Sequence, residues 1–421
     1  MRRMIWYEWK RIWGSRLTQF AVLGCALFLA FSVWSNIRLI SATDADGQTV
    51  TGLEAVQVQK ESRKEVNLDQ ETVDALVDEY LDYTQDPAAS SDDRDLAYLS
   101  EEMYVKWYLP NLPVLHLIDG AYRTYPEQRN DSMREVLLQS RGKDFSEARK
   151  ERVWENLEDA VNRGEITAAE ADWWNEKDDA VGEAAYGYNR AWWEISNSTS
   201  LVILVMLVIC IGTAPVFAGE YQSKCDSLLL SMRYGKSRLI LAKLTSSFLF
   251  STVVYWGCMG LFAGLYLAVL GTDGWNLPVQ ALCESISISY DLTSLQACAL
   301  VLVMGYVLTL GLVGVVLLLS SIMKNPYGVV ITSFLFLCVP LFLSMNRGGY
   351  LWKHFLGLLP EKISDFGFGS YMVYSIGGLT VTWPAAAMMV NGVCAVLLCG
   401  LAYGFFRRHQ VNKSIRHHAN Q

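Results

Sequence analysis

The sequence predicts an all-α membrane protein with six transmembrane helices and a helical domain outside the membrane. Hydrophobic residues make up 52% of the 421 residues, yet the formal net charge is −8, so apolar and charged residues are segregated. Six apolar stretches lack Asp, Glu, Lys, Arg and His, and each approaches or exceeds the roughly 20 residues that cross a bilayer as a helix. With their flanking residues they give transmembrane helices at 17–40, 199–218, 244–270, 295–320, 327–345 and 383–406.

Basic residues concentrate in alternate connecting segments, and this asymmetry gives the orientation in the membrane. Residues 1–16 hold five basic side chains and one acidic, and residues 219–243 hold five basic and two acidic. Residues 41–198 hold 35 acidic side chains against 16 basic. Both termini are therefore expected in the cytoplasm, and the acidic segment is expected outside the cell. The same rule gives a plasma-membrane protein with outer loops at 271–294 and 346–382 and a cytoplasmic basic tail at 407–421.

The first 16 residues predict an amphipathic helix. Ile5, Trp6, Trp9 and Trp13 fall near one helical face, beside four basic side chains. Such a helix lies on the inner membrane surface, although a generic positively charged anchor explains the same residues. The apolar run that follows is longer than the 7–15 residues of a signal peptide, so the first span is expected to be retained.

The acidic segment 41–198 shows helical periodicity. Val66, Val73 and Val77 recur at helical spacing with acidic residues between them, and Asp69 is the predicted N-cap. No strand of useful length is predicted. Further helices are predicted from Asp95 to Leu109, from about Ser146, and from the capping box at Thr167 through Trp192 and Trp193 into the second span.

Neither catalysis nor a metal site is expected. The acidic pairs Asp92-Asp93 and Asp178-Asp179 resemble acid/base dyads, but adjacent helical residues point in different directions and rarely share a proton. Nine cysteines are present and none falls within 41–198. An exported domain without disulfides suits organisms such as many Gram-positive bacteria.

The triplet Gly235-Lys236-Ser237 matches the end of a phosphate-binding P-loop. The opening glycine of that motif is missing, because Leu230 stands at its position, and the flanking sequence is membrane-spanning. No cofactor is therefore expected in this chain. The predicted spans also lack the ionisable residues that ion-coupled carriers use, so any energy for transport is expected from another subunit.

The residues around the second and third spans form an ordered series. Glu220 ends the second span, Leu228-Leu229 follows, and Gly235, Arg238 and Lys243 lead into the third span. This series resembles the permease subunits of the type-2 ABC exporter family. The segment 359–381 looks like the last outer loop of such permeases, which dips into the membrane. Gram-positive members often carry a large outer insert between spans one and two.

The resemblance implies a permease subunit that exports a peptide, lipid-like or drug-like substrate and is not itself an enzyme. It implies that 219–243 holds a coupling helix that docks on a separate ATPase subunit, which binds ATP and Mg. A second permease, identical or related, would complete the pathway among membrane lipids, with no nucleic acid involved. The implied coupling residues are Glu220, Leu228, Leu229, Arg233, Arg238 and Lys243. The alternative is a non-transporting sensor or membrane-enzyme subunit that reads a ligand with its outer domain.

Overall fold

The structure is a computed structural model that describes residues 1–44, 46–84, 103–125, 127–232 and 234–408. Four sequence predictions fall wholly or partly outside these residues. They concern the pair Asp92-Asp93, Arg233, the tail beyond residue 408, and most of the helix predicted from Asp95 to Leu109.

Within the described part of the chain, five helices are long and apolar enough to cross a membrane. This confirms a multi-pass, all-α membrane protein. A short amphipathic helix, α1 (Arg2–Trp13), precedes them. The five crossing helices are α2 (Arg16–Leu39), α10 with α11 (Thr199–Thr213 and Pro215–Gln222), α13 (Arg238–Leu270), α15 (Ser294–Ile322) and α18 (Trp383–Arg408).

The sixth apolar stretch, predicted as one helix over 327–345, is shorter than expected. Its helix α16 covers Pro326–Cys338, and a 3-10 turn follows at Pro340–Phe342. Pro340 lacks the N–H that a continuing helix needs and its ring clashes with the preceding turn, so the helix stops there. At 13 residues, α16 is about 20 Å long at 1.5 Å per residue, less than the thickness of a bilayer core.

The connecting segments contain more structure than the sequence predicts. The predicted segment 219–243 holds the end of α11, a six-residue helix α12 (Asp226–Ser231) and the start of α13. The predicted loop 271–294 contains α14 (Val279–Leu282). The predicted loop 346–382 contains α17 (Gly349–Gly357), a 3-10 turn (Pro360–Asp365) and the hairpin β5–β6 (Val373–Ile376 and Leu379–Thr382).

The segment 41–198, here called the insert, is mainly helical. The N-caps predicted at Asp69 and Thr167 are confirmed, because Asp69 accepts from the Thr72 amide and Thr167 forms a capping box with Glu170. The helices are α3 (Leu53–Ser62), α4 (Gln70–Tyr83), α5 (Leu109–Tyr122), α6 (Met133–Ser140), α7 (Phe145–Asn162), α8 (Ala168–Asp178) and α9 (Arg190–Ser196).

Several predictions for the insert are wrong in detail. Pro110 does not end a helix but stands in the first turn of α5, where a missing N–H is tolerated. The helix that starts at Thr167 ends at Asp178 and does not run into the second span. Short strand pairs are also present, joining β1 (Ser41–Thr43) to β2 (Thr49–Thr51) and β3 (Val66–Asn67) to β4 (Ala185–Tyr186).

The insert shares its two hydrophobic cores with the loops at the same end of the bundle. The first core runs from the spans through α7 and α8, where Trp174 is 2% exposed and its indole donates to the Tyr371 carbonyl at 2.7 Å. The second core lies among α4, α5 and α6, and it includes Leu277 and Ile286 from the loop after α13. We call this end of the bundle the insert side and the opposite end the terminal side.

Small residues allow two crossing helices to pack closely. A Cβ at Gly311 would lie 2.5 Å from the Asn391 side-chain oxygen, and one at Gly314 would lie 3.1 Å from the Ala395 Cα. These glycines on α15 therefore bring its backbone against α18, as small residues do in membrane bundles. Asn391 in turn donates to the carbonyls of Ala387 and Leu358, so its buried amide is bonded.

Candidate functional site

A group of four charged side chains lies inside the protein at the terminal side. Lys243 on α13 donates to Glu220 on α11 at 2.7 Å and to Glu8 on α1 at 2.9 Å. Arg11, also on α1, donates to the same Glu220 oxygen. Lys243 is 0% exposed and Glu220 is 2% exposed. We call these residues, Glu8, Arg11, Glu220 and Lys243, the charge cluster.

The charge cluster joins three separate helix ends. The pair Arg11–Glu220 joins residues 209 positions apart in the sequence, and the pair Glu8–Lys243 joins residues 235 positions apart. Lys243 also donates to the Val216 carbonyl at 3.2 Å. Buried charges carry a large desolvation penalty, which only close pairing and additional hydrogen bonds offset. The cluster therefore fixes the relative positions of α1, α11 and α13 more strictly than apolar packing would.

A break in the second span places Glu220. Pro215 interrupts the helix between α10 and α11, which leaves nearby backbone groups without their usual partners. The Ser320 hydroxyl on α15 donates to the Ala214 carbonyl at 2.6 Å and accepts from the amides of Phe217 and Ala218 at 3.0 Å. A side chain from a neighbouring helix thus bonds backbone groups beside the break.

The helices α15 and α18 hold the same short helix from another side. The Tyr221 hydroxyl donates to the Ser321 carbonyl at 2.9 Å. The rings of Phe217 and Tyr221 lie 4.8 and 5.7 Å from the Phe406 ring. The helix α11 is consequently bonded or packed to α1, α13, α15 and α18, so a movement of α11 would disturb these contacts.

The N-terminal helix is anchored by its aromatic residues as well as by charge. Ile12 is buried, and Trp13 packs edge-on against Phe250 of α13 with ring centroids 5.3 Å apart. Trp6 is 58% exposed, and an exposed tryptophan beside apolar helices suits a membrane–water interface. A cavity of about 190 Å³ lies between α1 and α10–α11, and Glu8 and Arg11 line it.

The segment that follows α11 projects from the bundle. Its short helix α12 carries Leu228, which is 66% exposed, and Leu229, which is half-buried. Met232 and Tyr234 are also exposed, at 48% and 40%. Exposed large apolar side chains next to one another indicate a contact surface. We call the described residues Leu228, Leu229, Met232 and Tyr234 the apolar tip.

The triplet Gly235-Lys236-Ser237 has no P-loop geometry. It lies in a turn between α12 and α13, and the element before it is a helix rather than a strand. Lys236 is exposed, and its backbone carbonyl accepts from the Tyr403 hydroxyl at 3.3 Å. The adjacent Arg238 guanidinium lies 4.6 Å from the Tyr234 ring centroid, in a cation–π contact.

The residues predicted from sequence fall into two groups. Glu220 and Lys243 meet in the charge cluster, whereas Leu228, Leu229 and Arg238 lie on or beside the apolar tip. Arg233 lies outside the described residues. Two members of the cluster, Glu8 and Arg11, were not predicted. Glu8 is the one acidic residue among the first 16, and this was the signal that could have suggested a buried partner.

Among the described residues, no group of three or more His, Cys, Asp and Glu side chains is arranged to hold a metal ion. The sequence matches no protein-family model, and no characterised protein is significantly similar to it.

Proposed function

We propose that this protein is the membrane-spanning subunit of an ABC exporter and that a separate ATPase subunit docks on its apolar tip. The observation that carries the proposal is the position of the tip. It projects between α11 and α13, whose ends are joined by the buried charge cluster. A partner that moves the tip would therefore move two crossing helices and α1 together.

The chemistry of the tip suits a protein partner rather than a nucleotide. Burying a leucine side chain contributes roughly 1.5–3 kcal/mol, so Leu228 and Leu229 would supply much of the contact energy. Arg238 and Lys236 stand at the rim, where exposed charges favour correct orientation more than affinity. ATP and Mg are assigned to the partner, and this chain is assigned no cofactor and no catalytic residue.

The proposed orientation places the terminal side in the cytoplasm and the insert outside the cell. Basic residues gather at the terminal side, and the insert is strongly acidic, which is the expected asymmetry for a plasma-membrane protein. The proposal counts α16 as a sixth crossing element, completed by the apolar residues 339–343. A second permease, identical or related, would complete the substrate pathway in the surrounding lipid.

Labelling of single cysteines tests the orientation. In a variant without the nine native cysteines, we expect Ser146→Cys to react with a membrane-impermeant thiol reagent in intact cells. Ser231→Cys, next to the apolar tip, should react only after the membrane is opened. The hydroxyl of Ser231 is exposed in this structure, so protection in intact cells would report the membrane and not burial. The reverse pattern would contradict the orientation.

A charge in the apolar tip tests the docking. We expect Leu228→Asp to abolish co-purification with the ATPase and stimulation of its activity, because an aspartate cannot be buried in an apolar contact without a partner. Membrane insertion and thermal stability should stay unchanged, since Leu228 is 66% exposed here. Lys236→Ala is the matched control from the same segment. Normal ATPase binding by Leu228→Asp would exclude the tip as the docking surface.

Comparison of the wild type with Lys236→Ala separates docking from nucleotide binding. If the chain bound ATP itself, the purified protein would bind a labelled nucleotide without any partner, and Lys236→Ala would remove that binding. We expect no specific nucleotide binding by either the wild type or this variant.

One observation favours the alternative function as a sensor. The insert contacts both loops of the insert side, so a ligand bound to the insert would act directly on the spans. The two functions differ in their partner. Co-purification of a Walker-type ATPase supports the exporter, whereas capture of a kinase or regulator without any ATPase supports the sensor.

A further inference from the structure

A single carboxylate lies unpaired inside the insert side of the bundle. Glu361 belongs to the 3-10 turn Pro360–Asp365 and is 0% exposed. Neither of its carboxylate oxygens has a hydrogen-bond partner among the described residues. Buried carboxylates are nearly always paired, because an isolated ionised group in an apolar interior is very costly. The arrangement around Glu361 therefore needs a physical explanation.

The turn packs against α10, α15, α16, α17 and the turn Pro340–Phe342. The sequences of α10, α15, α16 and Pro340–Phe342 contain no acidic or basic residue, so the basic side chains on these elements are Lys353 and His354 of α17. The other titratable groups on these elements are thiols and phenols. They are Cys210, Cys298, Tyr306, Tyr327, Cys338 and Tyr350.

Each charged side chain near Glu361 is committed to another partner. Lys362 donates to the Leu343 carbonyl at 2.7 Å and to Asp365 at 2.8 Å. Lys353 pairs with Glu165 of the insert at 2.8 Å. Both ring nitrogens of His354 lie 2.8 Å from backbone carbonyl oxygens. Among the described residues no cation is hydrogen-bonded to the Glu361 carboxylate, and the neighbouring Lys362 charge offsets only part of the effect of burial.

The described residues around Glu361 favour a proton over a larger ligand. A bound metal ion would need several oxygen ligands, and the described residues contain no cluster of acidic, His or Cys side chains. An organic cation would need a cavity, whereas the Glu361 side chain is fully enclosed. Burial raises the pKa of Glu361 to about 7, which is consistent with a carboxyl that keeps its proton.

We propose that Glu361 is a proton-binding site, and that proton binding holds the segment 359–368 against the bundle. The neutral acid fits among the apolar helices. When the proton leaves to water, the buried negative charge favours an arrangement in which the segment leaves α10 and α15 and the carboxylate is solvated. The segment is then a pH-dependent element of the insert side, whatever the protein transports or senses.

The sign of the pH dependence follows from the raised pKa. The packed arrangement binds one proton more than the open arrangement at any pH between the ordinary glutamate pKa, about 4.3, and about 7. In that window the opening equilibrium constant rises about tenfold per pH unit. Above about pH 7 both arrangements are ionised, the stabilisation by the proton is lost, and the constant levels off.

Hydrogen exchange of the full-length protein in lipid nanodiscs tests this proposal. After correction for intrinsic exchange, we expect amides in 359–368 to exchange about tenfold faster per pH unit from pH 5 to 7, with a plateau above. Glu361→Gln, which mimics the neutral acid in size and shape, should remove the dependence and keep the segment protected. Asp365→Asn, in the same turn and 42% exposed at its side chain, should keep it.

Three results would overturn the proposal. One is a wild-type profile that is flat from pH 5 to 8. Another is a Glu361→Gln profile that retains the wild-type slope. The third is a slope lost in Asp365→Asn, because the proton would then act at Asp365. The first and third comparisons need only the wild type and a surface variant, so they remain decisive even if Glu361→Gln does not fold.

Discussion

Glu220→Ala will lower the free energy of unfolding by about 3–5 kcal/mol, the usual cost of removing one partner from a buried ion pair. Glu220 accepts from both Lys243 and Arg11, so its loss leaves the fully buried Lys243 with Glu8 as its one remaining carboxylate in the charge cluster. The midpoint of denaturation of the detergent-solubilised protein measures the loss. Arg238→Ala, on the exposed first turn of α13, is the control and should change stability by less than about 0.5 kcal/mol.

The double variant Glu220→Leu with Lys243→Leu separates the charge effect from the packing effect. Replacing both members of a buried pair by apolar residues of similar size is often neutral or stabilising. We therefore expect the double variant to be more stable than Glu220→Ala. If the proposed ATPase subunit docks on the apolar tip, this variant should couple poorly to it, because α11 and α13 would no longer be joined by directional bonds. A Glu220→Ala variant as stable as Arg238→Ala would show that the cluster does not hold these helices.

The second large effect is expected in the insert. Asp178→Ala will destabilise the docked insert by about 3–5 kcal/mol, because it leaves the Arg149 guanidinium buried without a counter-ion. Arg149 forms two hydrogen bonds to Asp178, at 2.7 and 2.9 Å, and donates to the Ile286 carbonyl at 3.1 Å. Thermal unfolding and the rate of protease cleavage within the insert both measure the effect.

The chain offers a matched control one residue away. Lys150 and Asp179 form a second ion pair between the same two helices at 2.9 Å, but their side chains are 54% and 66% exposed. Exposed pairs contribute about 0–1 kcal/mol, so Asp179→Ala should be nearly silent. Equal effects of the two variants would show that helix proximity, and not burial of the pair, determines the cost.

These two pairs illustrate what the sequence could and could not predict. The prediction that Asp178 and Asp179 point in different directions is confirmed, because Asp178 bonds Arg149 and Asp179 bonds Lys150. This was predictable because it depends on local helix geometry. The N-caps at Asp69 and Thr167 and the apolar spans were also predictable, since each depends on residues within a few positions. Which arginine meets which aspartate depends on packing between helices, and no local pattern contains it.

The charge cluster and Glu361 show the same limit. The pairing of Glu220 with Lys243 could be suspected because both end a span. The contribution of α1 to the charge cluster could not be predicted, because its charged residues have the pattern of a surface helix beside a membrane. Glu361 stands in the sequence Leu-Pro-Glu-Lys-Ile-Ser-Asp, which has the composition of a solvated loop. Only the position of that loop against α10 and α15 shows that the carboxylate is buried.

The shared cores of the insert side also have a mechanical consequence. The helices α7 and α8 contact the loop before α15 through Arg149 and the loop before α18 through Trp174. Pulling these two loops apart would expose Trp174, and exposing a large buried apolar side chain costs about 1.5–3 kcal/mol. The insert therefore links these two loops, and separating them requires a ligand or a partner that supplies a comparable free energy.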